Sequence, residues 1–426
     1  MRGPVRILAV LAVPLLLAMT RAGTPAGPHP SSQYLYPVSL NEILTNGMSD
    51  IPEVRRMDEA VDSFMRVWDI RGASLAITRN DSLLYAKGYG WAEKERGRPM
   101  TPGTTLRLAS VSKLITAIGI MVLQERGALN IQSPVFGPFG ILNEFDDAIT
   151  DDDYYLITVE HLLRHQGGFT RRYGDPMFST LQVMRQFRLS TPPDAKTLTR
   201  KLVSLPLDFE PGTSQNYSNF GYLLLSMIIE KVSGMSYEAF IQENVLRKAG
   251  CFDFHIAGNY YRDRWEGETC YYPHKDCTPV PEFTGSGQEV NRCYGGNNIT
   301  GTLGAGAWVG SSAELARLVA SIDGDIRVPD ILGFFSIYQM TQRLDDETFP
   351  LGWLDCKDDG EWTRTGSFTG TSALIKRYPD GTCWIFVTNT STWVGPNFSK
   401  HVSGLFRSLR NRFSASLPEH DLFQAR

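Results

Sequence analysis

Ser110 and Lys113 stand three residues apart in Leu108-Ala109-Ser110-Val111-Ser112-Lys113, and an apolar run with helical spacing follows them. From Val111 onward Leu114, Ile118, Met121 and Val122 recur at that spacing, so the first turn places the hydroxyl and the amine on one face. An amine so placed can act as the base for a serine nucleophile if its pKa falls from about 10.4 toward neutrality. That fall needs burial and cationic neighbours, while a helix N-terminus favours negative charge at Ser110. Two further sets fit the same chemistry. Tyr217-Ser218-Asn219 brings a phenol able to relay a proton close to a carboxamide able to hold a substrate amide. Arg364-Thr365-Gly366-Ser367 offers an arginine for a substrate carboxylate and a glycine that lets backbone approach the acyl group.

The elements that must position these residues are legible in outline. Met57, Val61, Phe64, Met65 and Trp68 mark an amphipathic helix, after which Ala73 to Thr78 and Leu83 to Tyr89 read as strands joined through Arg79-Asn80-Asp81-Ser82. The spacing predicts helices over Thr158 to Arg164, Tyr222 to Val232, Tyr237 to Lys248, Ser311 to Ile322 and Phe398 to Phe413. Thr371 to Tyr378 and Thr382 to Asn389 form a strand pair around Pro379-Asp380-Gly381. Strands thus lie near both ends, with helices between. The expected fold class is α+β, an antiparallel sheet built from both chain ends and flanked by helices, with an inserted, mostly α-helical domain. Cys251 to Gly301 is long, aromatic and Gly-rich, the character of a functional loop or elaborated insertion.

The chain has 426 residues, 42% hydrophobic and 21% charged, with a net charge of −4 that gives no reason to expect nucleic acid as a partner. Arg2 and Arg6 precede an apolar run from Ile7 to Met19, and Thr20-Arg21-Ala22 then offers small residues. This is the layout of a secretory signal peptide, its core too short to span a bilayer; an uncleaved anchor is the other reading. The expected organisation is a signal peptide over 1–22, a flexible lead-in over 23–50, a bilobal domain over 51–413 and a C-terminal tail over 414–426. Export, to a periplasm or the outside of the cell, would permit disulfides among the six cysteines. One or two bridges are expected within Cys251, Cys270, Cys277 and Cys293, and another joining Cys356 to Cys383. Cys270, His274 and Cys277 lack the paired spacing of a zinc site, the acidic run from Glu144 to Asp153 lacks a calcium-loop spacing, and His161 and His165 read as structural. No metal or cofactor is expected. Sequons begin at Asn80, Asn216, Asn298, Asn389 and Asn397, a set compatible with glycosylation in a eukaryotic secretory pathway.

Taken in order, these motifs resemble the serine β-lactamase and penicillin-binding-protein superfamily, particularly its class C β-lactamase, DD-peptidase and esterase branch. Arg107-Leu-Ala-Ser110-Val-Ser-Lys113 looks like the first family motif, S-x-x-K, and Tyr217-Ser-Asn219 matches the second, Y-x-N. His161-Leu-Leu-Arg-His165-Gln-Gly-Gly168 is similar to the family's segment ending in H-T-S-G, and Gly352-Trp353 and Tyr378-Pro-Asp-Gly381 fall where relatives carry such residues. The resemblance runs from about Met57 to the last helix. It implies an active site between an α/β and a helical domain, with Ser110 acylated, Lys113 and Tyr217 handling its proton, and Asn219 aligning the substrate. Arg364, Thr365 and Gly366 would bind substrate, and the backbone N–H groups of Ser110 and Ser367 would form the oxyanion hole. Relatives place lysine or histidine first in the third motif; Arg364 keeps the charge but cannot deprotonate. The implied substrate is a small molecule or peptide, with D-Ala-D-Ala-type peptides of peptidoglycan leading. A carboxylesterase with little β-lactamase activity and a non-catalytic binding protein of the same fold are the alternatives. A Ser-His-Asp hydrolase is a weaker option, since no G-x-S-x-G elbow occurs.

Overall fold

The computed structural model describes residues 38–425, Tyr173 excepted. The expected signal peptide and most of the lead-in lie outside the described residues. Among those described, no helix is long and apolar enough to cross a membrane.

The chain opens with α1 (Leu40–Ile43) and α2 (Arg55–Val67), then forms β1 (Gly72–Arg79), β2 (Ser82–Glu93) and β3 (Arg98–Pro99). After β4 (Leu106–Arg107) comes a mostly helical stretch: α3 (Ser112–Glu125), α4 (Val159–Leu163), α5 (Thr180–Phe187), α6 (Ala195–Leu202), α7 (Asn219–Ser233) and α8 (Tyr237–Ile241). The excursion that follows carries short strands β5 (His255–Ile256), β6 (Val280–Pro281) and β7 (Glu289–Val290), and leads to β8 (Trp308–Gly310), α9 (Ser312–Ala320) and α10 (Phe334–Thr341). The chain ends with β9 (Asp355–Cys356), β10 (Trp362–Phe368), β11 (Thr371–Arg377), β12 (Thr382–Thr388) and α11 (Phe398–Phe413).

The main sheet has seven strands in the order β3-β2-β1-β12-β11-β10-β9, antiparallel throughout, with β1 beside β12 where the two chain ends meet. The α+β class and the sheet built from both ends are as the sequence predicts. Alternation along the strands feeds two cores. On one face Leu75, Ile77, Trp384 and Phe386 pack with Met57 and Val61 of α2 and Phe406 and Leu409 of α11. On the other, Ala76, Ile385 and Val387 join a core continuous with α3, α7 and α9. One packed interior therefore links the sheet to the helices, and the site lies where they meet.

Several expectations change. Residues 38–50 of the expected lead-in are tied down: Ser39 Oγ donates to Asp253 at 2.5 Å, and Asn46 accepts from Gly88 N at 2.8 Å while donating to Met100 O at 3.0 Å. The expected tail docks on β2, where Asp421 accepts from Leu83 N at 2.9 Å and Leu422 is buried. All six cysteines are free. Cys356, Trp362, Arg377 and Cys383 occupy one row across four strands, so Cys356 and Cys383 are three strand spacings apart, about 14 Å. A disulfide needs Cα atoms within about 7 Å, so that pairing is ruled out in this fold. Within the expected cluster, Cys251 instead donates to Glu314 O at 3.1 Å. Asn389 is fully buried, its amide given to Trp91 O and Thr269 Oγ1, each at 2.9 Å, so this sequon is sealed from glycosylation.

The β1–β2 turn carries a titratable group of consequence. Asn80 and Asp81 both have positive φ, 45° and 63°, the backbone of a tight hairpin turn that suits Asn and Asp. Asp81 accepts from Val328 N at 3.1 Å through Oδ2, while Oδ1 is buried without a partner. Burial, followed by repulsion from Asp323, lifts its pKa to about 7. The unfolded value is about 3.9, so the stability linked to its proton is fully present below that pH and lost as pH rises through 7. Thermal melts are expected to show a midpoint higher by a few degrees at pH 5.5 than at pH 8, with Asp81→Asn flattening the difference. A variant whose midpoint tracks wild type at both pH values would contradict this assignment.

Candidate active site

Ser110 lies in a 3-10 turn, Ala109–Val111, between β4 and α3. Ala109 has φ 49°, a left-handed conformation that an alanine adopts only when its surroundings hold it. They do so here: Leu108 N donates to Trp308 O at 2.9 Å, and Arg364 grips the Ser110 carbonyl through Nε at 2.9 Å and Nη2 at 2.5 Å. The turn leaves the Ser110 side chain partly accessible while Lys113, on the first turn of α3, is fully buried.

Lys113 Nζ donates to Ser110 Oγ at 3.3 Å, to Asn219 Oδ1 at 2.6 Å and to the Ala305 carbonyl at 2.5 Å. Burial lowers its pKa and the Arg364 cation lowers it further, while Tyr217 and Asp175 act in the opposite sense. The amine is thus biased toward the neutral form that can take a proton. Tyr217 sits beside it, its hydroxyl accepting from Arg364 Nη2 at 3.3 Å. Burial opposes ionisation of the phenol, but Lys113 and Arg364 outweigh it and bring the pKa down to about 8. A lysine whose pKa is lowered by burial and a phenol brought down to about 8 therefore flank one hydroxyl.

Local folding explains this convergence. Ser218, the middle residue of Tyr217-Ser218-Asn219, is the N-cap of α7, its Oγ accepting from Gly221 N at 3.0 Å. That cap leaves Tyr217 outside the helix and makes Asn219 its first residue. His165 braces the turn: its Nδ1 accepts from Ser218 N at 3.1 Å, its carbonyl from Asn216 N at 2.9 Å, and its ring lies 4.3 Å from that of Tyr217. Burial first, then Lys113 and Arg364, hold His165 far below its ordinary pKa, so it stays neutral. His161 closes a capping box with Thr158. Both histidines have structural partners.

The third motif is strand β10. Its buried, inward-facing residues are Trp362, Arg364 and Gly366. β9 pairs only with Trp362 and Thr363, so the edge from Thr365 to Phe368 has no strand partner among the described residues, and it runs beside Ser110. A backbone N–H on such an edge can bind a developing oxyanion. A Cβ on Gly366 would lie 2.2 Å from the Leu108 carbonyl oxygen, which explains the glycine. Gly366→Ala is expected to lose about 1–3 kcal/mol by forcing β10 from the Ser110 turn. A lowered melting temperature together with slower Ser110 acylation checks this; unchanged values for both would contradict it.

Arg364 departs from expectation. Its side chain is 1% exposed and engages Ser110 O and Tyr217, so it holds the Ser110 turn rather than facing a substrate carboxylate. Asn219 is likewise engaged within the protein, receiving Lys113 at Oδ1 and donating from Nδ2 to Asp175 at 2.5 Å. Sequence reasoning missed Asp175 and the Ala305 carbonyl. Ala305 carries no chemical signature; its segment is threaded between helices by Thr116 Oγ1 donating to Gly304 O at 2.8 Å and Gly304 N to Ser226 Oγ at 3.0 Å. Past Ser367 the cleft opens into a cavity of about 420 Å³ lined by Phe368 and Thr369 and by His274, Cys277 and Arg292 of the long excursion.

A family model described as Beta-lactamase matches residues 57–402, spanning all three motifs. The chain belongs to the beta-lactamase family. The relatives it matches include an esterase and a putative carboxypeptidase, and it spans less than two thirds of the length of the first of these. It is 30% identical over 243 residues to Esterase EstB of Burkholderia gladioli, covering 55% of this chain and 58% of that one. It is 24% identical over 387 residues to a putative D-alanyl-D-alanine carboxypeptidase of Escherichia coli K12, covering 85% of this chain and 83% of that one. Among solved structures, D-amino acid amidase from Ochrobactrum anthropi SV3 superposes with a TM-score of 0.65 at 17% identity, over 85% of this chain and 99% of that one. For this member of the beta-lactamase family, that likeness supports the fold.

Proposed function

We propose that this protein is an exported serine hydrolase that cleaves a carboxylic ester or amide through an acyl-enzyme on Ser110. The observation that carries the reading is the placement of one buried amine, Lys113 Nζ, against Ser110 Oγ, with Tyr217 beside it. Lys113 or Tyr217 takes the hydroxyl proton as Ser110 Oγ attacks the carbonyl carbon. The N–H groups of Ser110 and Ser367 receive the oxyanion, and the proton returns to the leaving oxygen or nitrogen. Water then hydrolyses the acyl-enzyme by the same steps. Thr365 and Gly366 line the edge along which the acyl group lies. Export rests on the Arg-flanked apolar run of residues 2–19 and would place the enzyme in a periplasm or outside the cell.

The inward turn of Arg364 removes the cation that would recognise a substrate carboxylate, which favours an ester or amide without one. Peptides ending in D-Ala-D-Ala are the second reading, supported by the match to a putative D-alanyl-D-alanine carboxypeptidase along 85% of this chain. Steady-state turnover of a p-nitrophenyl ester, a D-amino acid amide, a D-Ala-D-Ala peptide and a penicillin separates them. Turnover of ester or amide above the peptide supports the first reading, and preference for the peptide supports the second. No turnover of any, with no covalent adduct, would leave a binding protein of the same fold.

A further inference from the structure

We propose that Asp175 is the positioning residue for the Asn219 carboxamide and, through it, for Lys113. The inference rests on the acyl-enzyme reading above. Asn219 has one acceptor oxygen and one two-proton donor, and its two ends have nearly the same shape. Only its hydrogen-bond partners decide which end faces Lys113. Asp175 decides it. A carboxylate accepts and cannot donate, so its Oδ2, 2.5 Å from Asn219 Nδ2, fixes the N–H end on its own side and leaves Oδ1 to receive Lys113 Nζ at 2.6 Å. With the amide reversed, its N–H end would face the lysine and push Nζ away from Ser110.

Asp175 is itself anchored. Its Oδ1 accepts from Met177 N at 3.0 Å, its backbone carbonyl from Phe178 N at 3.0 Å, and Arg171 Nη2 lies 3.6 Å from Oδ2. Its side chain is 16% exposed. The run Asp175–Asn219–Lys113–Ser110 is therefore continuous, with a fixed donor and acceptor at each step up to the amine. The groups that set the charge on Lys113 are Tyr217, Arg364 and Asp175, and Asp175 favours its protonated form. Removing that negative charge moves the acid limb of the rate profile to lower pH.

The test compares wild type, Asp175→Ala and Asp175→Asn by the rate of Ser110 labelling with a fluorophosphonate and by kcat and KM on a p-nitrophenyl ester across pH, with thermal melts of each. Asp175→Ala is expected to lower kcat about tenfold with KM within about twofold, and to shift the acid limb downward. Asp175→Asn, which keeps an oxygen for Asn219, restores most of kcat while retaining the limb shift. If Asp175→Ala does not fold, the limb shift of Asp175→Asn carries the test. A labelled wild type with an Asp175→Ala variant of unchanged kcat and limb overturns this inference alone, as does an Asn variant as slow as Ala with an unmoved limb. A wild type that is not labelled at Ser110 overturns the acyl-enzyme reading and this inference with it.

Discussion

Lys113→Met lowers the rate of Ser110 acylation by about 10³-fold or more at neutral pH. Methionine is close to lysine in length and apolar, so it fills the buried space without a proton acceptor. Ser110 Oγ then has Tyr217 alone to take its proton. The exchange also leaves Asn219 Oδ1 and the Ala305 carbonyl, now 2.6 and 2.5 Å from Nζ, without their donor. Leaving two buried acceptors unpaired costs about 1–3 kcal/mol each, so the melting temperature falls too. Lys113→Arg does not restore the rate, because a guanidinium keeps its proton. Stopped-flow or discontinuous labelling with a fluorophosphonate, on protein shown folded by circular dichroism, measures this directly. Acylation of Lys113→Met within a few-fold of wild type would mean that the amine does not activate Ser110.

Tyr217→Phe is expected to cost about 10²- to 10³-fold in kcat/KM, while the protein folds nearly as stably as wild type. The ring packed on His165 is retained and only the hydroxyl is lost. In wild type the phenol, brought down to about 8, contributes to the acid limb: once it is protonated, Lys113 is left as the acceptor for the Ser110 proton. Tyr217 also favours the protonated form of Lys113, so its removal frees the amine at lower pH. The small residual activity of Tyr217→Phe should therefore have an acid limb displaced downward. An undisplaced limb with a small loss of rate would assign the phenol a packing role only.

Ser110 and Lys113 were legible because their partnership is local: three residues on a helix share a face whatever the rest of the chain does. Tyr217 and Asn219 were legible as types, but Ser218 between them gave no sign that it caps α7, the feature that aims the phenol and the amide differently. The Asn219–Asp175 bond joins residues 44 apart and depends on a turn at Gly174-Asp175-Pro176 that reads only as a loop. In the sequence Arg364 reads as a cation available to a substrate carboxylate. It lies in a strand whose alternate residues point inward, and that period turns the guanidinium under Ser110. The disulfide between Cys356 and Cys383 failed for the same kind of reason, since strand order sets their separation and sequence does not display it. Composition marked residues 23–50 as loose, yet Asn46 and Ser49 supply the side chains that pin the described part to β2.

Intact-mass spectrometry of the purified protein after incubation with a fluorophosphonate, beside Ser110→Ala, tests the account most directly. One phosphonyl adduct per chain on wild type, mapped to Ser110 and absent from Ser110→Ala, is the predicted result. An adduct that persists in Ser110→Ala, or no adduct on folded wild type, would contradict a Ser110 nucleophile.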